Sequence, residues 1–224
     1  MRYWILVALL LVPLAPATAR PPEEQDRHAI RQKLVKASQS PKFQAAVKQL
    51  QKLTGSEPKP LATTAEGDPT GGVIFGVSHK KADELLAQQR KQFLAQGAYL
   101  FRYQNMRGLN IGGQEAPDAI ALLPTTNGYE VLLAVETEGR NSNVYSPDLL
   151  KWLKELGKTQ PFEITEAGDE FMAARFTTPV KDPAGLAAKV LKLCPDFDSG
   201  EGPEATLQKI TEDLKKGNLF LFWT

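Results

Sequence analysis

In YEVLLAVETEGRNSNVYSPDLLKW, residues 129 to 152, an apolar half is followed by a polar loop and the start of a helix. Glu130 to Val135 is a short apolar run with two β-branched residues, bounded by Asn127-Gly128 in front and Glu138-Gly139 behind, which predicts a buried strand. Beyond it, Ser146 offers a side-chain oxygen to orphan amides. Pro147 supplies the fixed φ of a first helical position, and Asp148 places negative charge in the first turn. Between the two halves lie Glu136, Glu138, Arg140, Asn141, Asn143 and Tyr145. Loops that leave a central strand and enter a helix commonly hold ligand-binding groups in α/β domains, so a site is expected here.

Residues 23 to 54 read as two helices. Ile30 and Leu34 form an i, i+4 pair; after Ser40-Pro41, the residues Phe43, Ala46, Val47, Leu50 and Leu53 repeat at helical spacing until Gly55. Residues 55 to 72 are rich in Pro, Gly and Thr and predict a linker. Then come a strand at Val73 to Val77, a helix capped by Ser78 and stopped by Gly97, and a strand at Tyr99 to Tyr103. Residues 105 to 117 are loop. Ala119 to Leu123 and Tyr129 to Glu136 predict a hairpin, and Phe162 to Thr165 with Glu170 to Thr177 predict a second. Helices at Asp182-Pro183 and around Leu207, Ile210 and Leu214 precede a final strand, LFLFWT. The main domain thus reads β-α-β-β-β-α-β-β-α-α-β. The expected class is α+β or α/β, a mixed sheet covered by helices and preceded by a helical N-terminal arm. The divisions are 1–19, 20–54, 55–72 and 73–224.

Residues 1–19 predict a cleaved signal peptide. Arg2 precedes an apolar run from Tyr3 to Leu14, and Ala17-Thr18-Ala19 fits the small-x-small cleavage rule. That run is 12 residues long and is cut by Pro13 and Pro16, whereas a membrane span takes roughly 20. The expected location is periplasmic or secreted, with no transmembrane anchor after cleavage. The leader carries only Arg2 of the 27 basic residues, so 26 remain against 26 acidic ones. A nucleic-acid partner is not expected from that balance. Residues 20–54 hold eight basic and three acidic side chains, net +5, leaving the rest at −5. A basic arm is therefore expected to dock on the acidic domain, or on an anionic surface, without belonging to the core. The single cysteine, Cys194, excludes an intramolecular disulfide and multi-cysteine zinc sites.

The stretch NSNVYSPDLLKWLKELGKTQPFEI, with LKLCPDF, a TLQKITEDL helix and the terminal LFLFWT, resembles the bacterial domain-of-unknown-function family 4253. In that family a Cys-Pro-Asp turn ends one helix and a tryptophan-rich strand closes the domain. Here Cys194-Pro195-Asp196 and Phe222-Trp223 carry the likeness, although the chain ends Phe-Trp-Thr and separates Asn143 from Tyr145. The resemblance implies the fold class of the C-terminal region and no activity.

Cys194 and His79 supply the residue types of a nucleophile and its base, but Cys194 falls on the buried stripe of its helix and reads as a small hydrophobe. Asp196, Asp198, Glu201 and Glu204 crowd together as in a calcium loop. Gly200 occupies a ligand position, however, and no bidentate Glu follows, so a solvated turn is expected and no metal. No GxGxxG, GxSxG or HExxH pattern occurs, neither Gly71-Gly72 nor Gly112-Gly113 is followed by GK[ST], and no cofactor is predicted. The expected function is a binding or protein-interaction module for an unknown protein or small molecule. The alternative is a hydrolase with a carboxylate-based site at the strand ends. The expected site gathers Glu136, Asn141, Asn143, Tyr145, Asp196 and Trp223. Trp223 would be its apolar wall, or else ordinary core.

Overall fold

Among the described residues two helices come first, α1 (Pro22–Ser38) and α2 (Pro41–Thr54), followed by β1 (Lys59–Ala62), β2 (Pro69–Gly76), α3 (His79–Ala95), β3 (Tyr99–Tyr103) and β4 (Ala119–Leu123). Then come α4 (Gly128–Ala134), α5 (Ser146–Thr159), β5 (Phe162–Ala167), β6 (Phe171–Phe176), α6 (Pro183–Leu193), α7 (Pro203–Lys215) and β7 (Asn218–Phe222). The computed structural model describes residues 22–62, 69–103, 119–197 and 202–223. The expected leader at residues 1–19, the expected loop at residues 105–117, and Asp198, Gly200 and Glu201 lie outside the described residues.

All seven strands form one mixed sheet, ordered β1-β2-β4-β3-β5-β6-β7. Neighbours are antiparallel except β3 and β5, where Arg102 pairs with Glu166 and Tyr103 with Ala167. Because strand side chains alternate, β3 and β4 feed two separate cores. Leu100, Ile120 and Leu122 join Phe43, Ala46, Val47 and Leu50 of α2 and Leu85 and Phe93 of α3. Tyr99, Phe101, Ala121 and Leu123 join the larger cluster on the other face, built with α1, α4, α5, α6 and α7. The class is α+β.

The capping residues act as their chemistry dictates. The Ser40 hydroxyl accepts from the Phe43 amide at 3.3 Å, that of Ser78 from Lys81 at 3.3 Å, and the Asp182 carboxylate from Gly185 at 2.9 Å. Gly55 closes α2 in the left-handed region, at φ 70°.

Three expectations are corrected. The apolar run expected as a strand lies in α4, Gly128–Ala134, a helix, with Val135 as its C-cap, and β4 pairs with β2 and β3 in place of the first expected hairpin. The Asn127 carboxamide oxygen accepts from the Tyr129 amide at 3.0 Å and starts that helix. With Glu130, Val131, Leu132 and Ala134 all buried, α4 shows no polar face and so no helical period. Second, the stretch expected to be a linker supplies β1 and the first half of β2. Its glycines serve packing: a Cβ on Gly71, at φ 76°, would lie 2.6 Å from the Leu34 carbonyl carbon, so α1 crosses the sheet backbone to backbone there. Thr70 is fully buried and donates to the Leu61 carbonyl at 2.7 Å. Third, the basic arm belongs to the core, with Leu34 and Leu50 fully buried.

Candidate functional site

The loop between α4 and α5 is tied down along its length. The Thr137 hydroxyl donates to the Gly168 carbonyl at 2.7 Å, and the Glu138 amide to the Asp169 carbonyl at 2.7 Å, which fixes the loop to the β5–β6 turn. Gly139 and Val144 exchange backbone hydrogen bonds of 2.7 and 2.9 Å around a single 3-10 turn, Arg140–Ser142. The Ser142 hydroxyl then donates to Asp196 at 2.5 Å, which brings the Cys-Pro-Asp turn to the same end of the sheet. Glu136 and Asn143 both sit in the left-handed region, at φ 55° and 56°. Such backbone costs about 1–3 kcal/mol per residue and persists only where surrounding contacts hold it.

For Asn143 the contact is its amide on the Arg140 carbonyl at 3.1 Å, and around Glu136 the contacts are ionic. Glu138, with a side chain 3% exposed, meets Arg27 at 2.5 Å and Arg140 at 2.9 Å. The Ser146 hydroxyl, 3.0 Å from Glu138 Oε1 and 3.1 Å from the Thr137 carbonyl, directs its proton to this pair of acceptors. It is therefore not the cap of α5, whose cap position is Tyr145 without a side-chain bond. Glu136 pairs with Arg31 and lies 3.8 Å from Arg140. Glu130 takes Lys33 at 2.6 Å and the Thr125 hydroxyl at 2.7 Å. Three cations of α1 thus meet three carboxylates on the segment that begins at α4. The hydrogen bond from Arg140 to Glu138 is the main cause of a raised Arg140 pKa, with the charges of Glu138, Glu136 and Asp169 adding to it. Burial, and then the charge of Asp169, pushes the Tyr103 phenol up to about 12.

Of the residues singled out from the sequence, Asn141 and Asn143 are exposed on this loop, and Tyr145 is the one large hydrophobic side chain exposed among the described residues, at 41%. Asp196 is half-buried against Ser142. Trp223 corrects the expectation of an apolar wall: it is fully buried, its indole N–H donates to the Leu193 carbonyl at 3.1 Å, and its ring lies where any Cβ on Gly139 would fall. The loop, the Cys-Pro-Asp turn and the chain end do meet, but around a filled core. Cys194 and His79 form no dyad. Cys194 is buried in the cluster shared by α4 to α7, its thiol pushed up to about 12 by burial, whereas His79 is exposed and lies 3.7 Å from Asp83 at the start of α3. Among the described residues, no group of three His, Cys, Asp or Glu is placed to hold a metal, and no helix is long and apolar enough to cross a membrane.

One concavity lies beside the ionic cluster. A groove of about 600 Å³ runs between α1, α4 and α5. Ile30, Leu133, Pro147 and Leu150 form its apolar walls, while Lys33, Lys151 and Lys154 stand around it. Sequence reading missed these residues because the groove exists only once α1 lies against α4. The alternation of lysines with apolar positions on α5 was the available signal.

No curated protein and no solved structure matches the chain. The stretch from β4 to Trp223, residues 119–223, matches the family model described as Domain of unknown function (DUF4253), so the C-terminal region of this chain carries that domain.

Proposed function

We propose that the protein is an exported binding module and not a hydrolase. The observation that carries this reading is the occupancy of the carboxylates at the expected site. Glu138 faces Arg27, Arg140 and Ser146, and Glu136 faces Arg31 and Arg140. A general base must aim a lone pair at a substrate proton, and here the lone pairs are directed at cations of the same chain. The buried thiol of Cys194, at about 12, stays protonated and adds no nucleophile. The groove between α1, α4 and α5 has the size of a small-molecule site, and its one lining carboxylate, Glu155, is paired with Lys158 at 2.6 Å.

Two outcomes are expected. Purified protein screened against ester, amide, phosphoester and glycoside substrates, with and without divalent metals, should show no turnover. Turnover abolished by Glu136→Ala or Asp196→Ala would replace this reading with the hydrolase. Export rests on the leader-like residues 1–19, and amino-terminal sequencing of protein from envelope fractions should begin at Arg20. Protein retained in the cytoplasm with Met1 intact would remove the export part of the proposal.

A further inference from the structure

We infer that the groove between α1, α4 and α5 binds a single-chain anionic amphiphile, of the fatty-acid class. The inference rests on the binding-module reading and adds the chemistry of the ligand. The walls are apolar, with Ile30 from α1, Leu133 from α4 and Leu150 from α5 converging on a volume of about 600 Å³. That volume falls within the range of about 300–1,000 Å³ for small-molecule sites.

The charge of the rim selects the head group. Lys33 is already matched by Glu130 at 2.6 Å, and Glu155 by Lys158 at 2.6 Å. Lys151 and Lys154 are left with no ion pair among the described residues; Lys154 instead lies 6.0 Å from the centre of the Tyr129 ring. Lys151 and Lys154 stand three residues, about one turn, apart on α5, and like charges at that spacing repel. An anion held between them removes that repulsion, while a methylene chain follows the apolar walls inward.

Calorimetric titration of the purified protein tests this with three probes kept below their micelle concentrations. Dodecanoate should bind saturably at one site. Decanoate should bind about tenfold more weakly, because each buried methylene is worth roughly a fourfold change in affinity and the last two are partly exposed. Dodecyltrimethylammonium, the same chain with the opposite charge, should bind at least about tenfold more weakly than dodecanoate. The double substitution Lys151→Glu/Lys154→Glu should cost dodecanoate about tenfold in affinity with the thermal midpoint unchanged. Ile30→Gln, on the facing helix, should weaken it as well. Absence of saturable dodecanoate binding, equal affinity for the cationic chain, or indifference to both substitutions would overturn the inference. So would association with phosphatidylglycerol vesicles in the absence of monomer binding, which would make the groove a membrane-facing surface. Each of these results is independent of the turnover screen, so the inference and the binding-module reading fail separately.

Discussion

Deletion of residues 20–60 is expected to abolish the cooperative thermal transition. The deletion removes Leu34, Phe43, Val47 and Leu50, four apolar side chains that are each at most 8% exposed. At about 1.5–3 kcal/mol apiece their burial is worth roughly 6–12 kcal/mol, as large as the whole net stability of an ordinary domain, about 5–15 kcal/mol. It also uncovers Phe75, Ile120 and Leu122 on one face of the sheet and takes Lys33 from Glu130, Arg31 from Glu136 and Arg27 from Glu138. The truncated chain should bind a hydrophobic dye and lose circular dichroism gradually on heating. A sharp sigmoidal melt would show that β2 to β7 are self-sufficient and that the arm is an accessory. Replacing Arg27, Arg31 and Lys33 together by Gln, with the apolar face kept, separates the two contributions. That variant should still melt cooperatively, at a lower temperature, because the sheet remains covered.

Trp223→Ala is expected to cost about 3–5 kcal/mol, the range for deleting a fully buried large aromatic side chain. The loss has two parts. An indole-sized cavity opens beside Gly139, and the Leu193 carbonyl loses the N–H that reaches it at 3.1 Å. Trp223→Phe should cost less, since most of the apolar volume is kept. Gly139→Ala should be destabilising in the native protein, because its methyl group would overlap the indole, and less so when combined with Trp223→Ala. Thermal denaturation of the four variants completes the cycle. A ligand wall would give the opposite pattern, lost binding with the melting temperature unchanged.

Local signals were sufficient wherever an element carries its own boundary chemistry. Ser40-Pro41 with Gly55, Ser78 before α3 and Asp182-Pro183 before α6 each meet their capping need within a few residues, so they read the same in sequence and in structure. The hairpin of β5 and β6 and the final strand were equally legible from short apolar runs between glycines. For α4 the period was silent, since a seven-residue helix buried nearly all round has no polar face, and a short apolar run does not tell helix from strand. Asn127 with Glu130 three residues later was the overlooked capping signal. In the structure Glu130 turns instead to Lys33 and Thr125.

The site followed the same division. The sequence located the loop from Glu136 to Tyr145, because polar residues between an apolar run and a helix start are visible in one dimension. That Arg27, Arg31 and Lys33 would meet Glu138, Glu136 and Glu130 was invisible, since the partners are about a hundred positions apart and composition recorded only a basic arm and an acidic body. The family match begins at β4, yet β4 lies between β2 and β3 in the sheet, so residues outside the matched region complete its core. Local chemistry therefore determined the elements and the charge asymmetry. Tertiary structure alone decided that Gly71 would let α1 cross the sheet, that Trp223 would be sealed inside, and that a lysine-rimmed groove would remain open. Each of those outcomes depends on which surfaces come within a few ångströms of each other, and spacing along the chain carries no such distance.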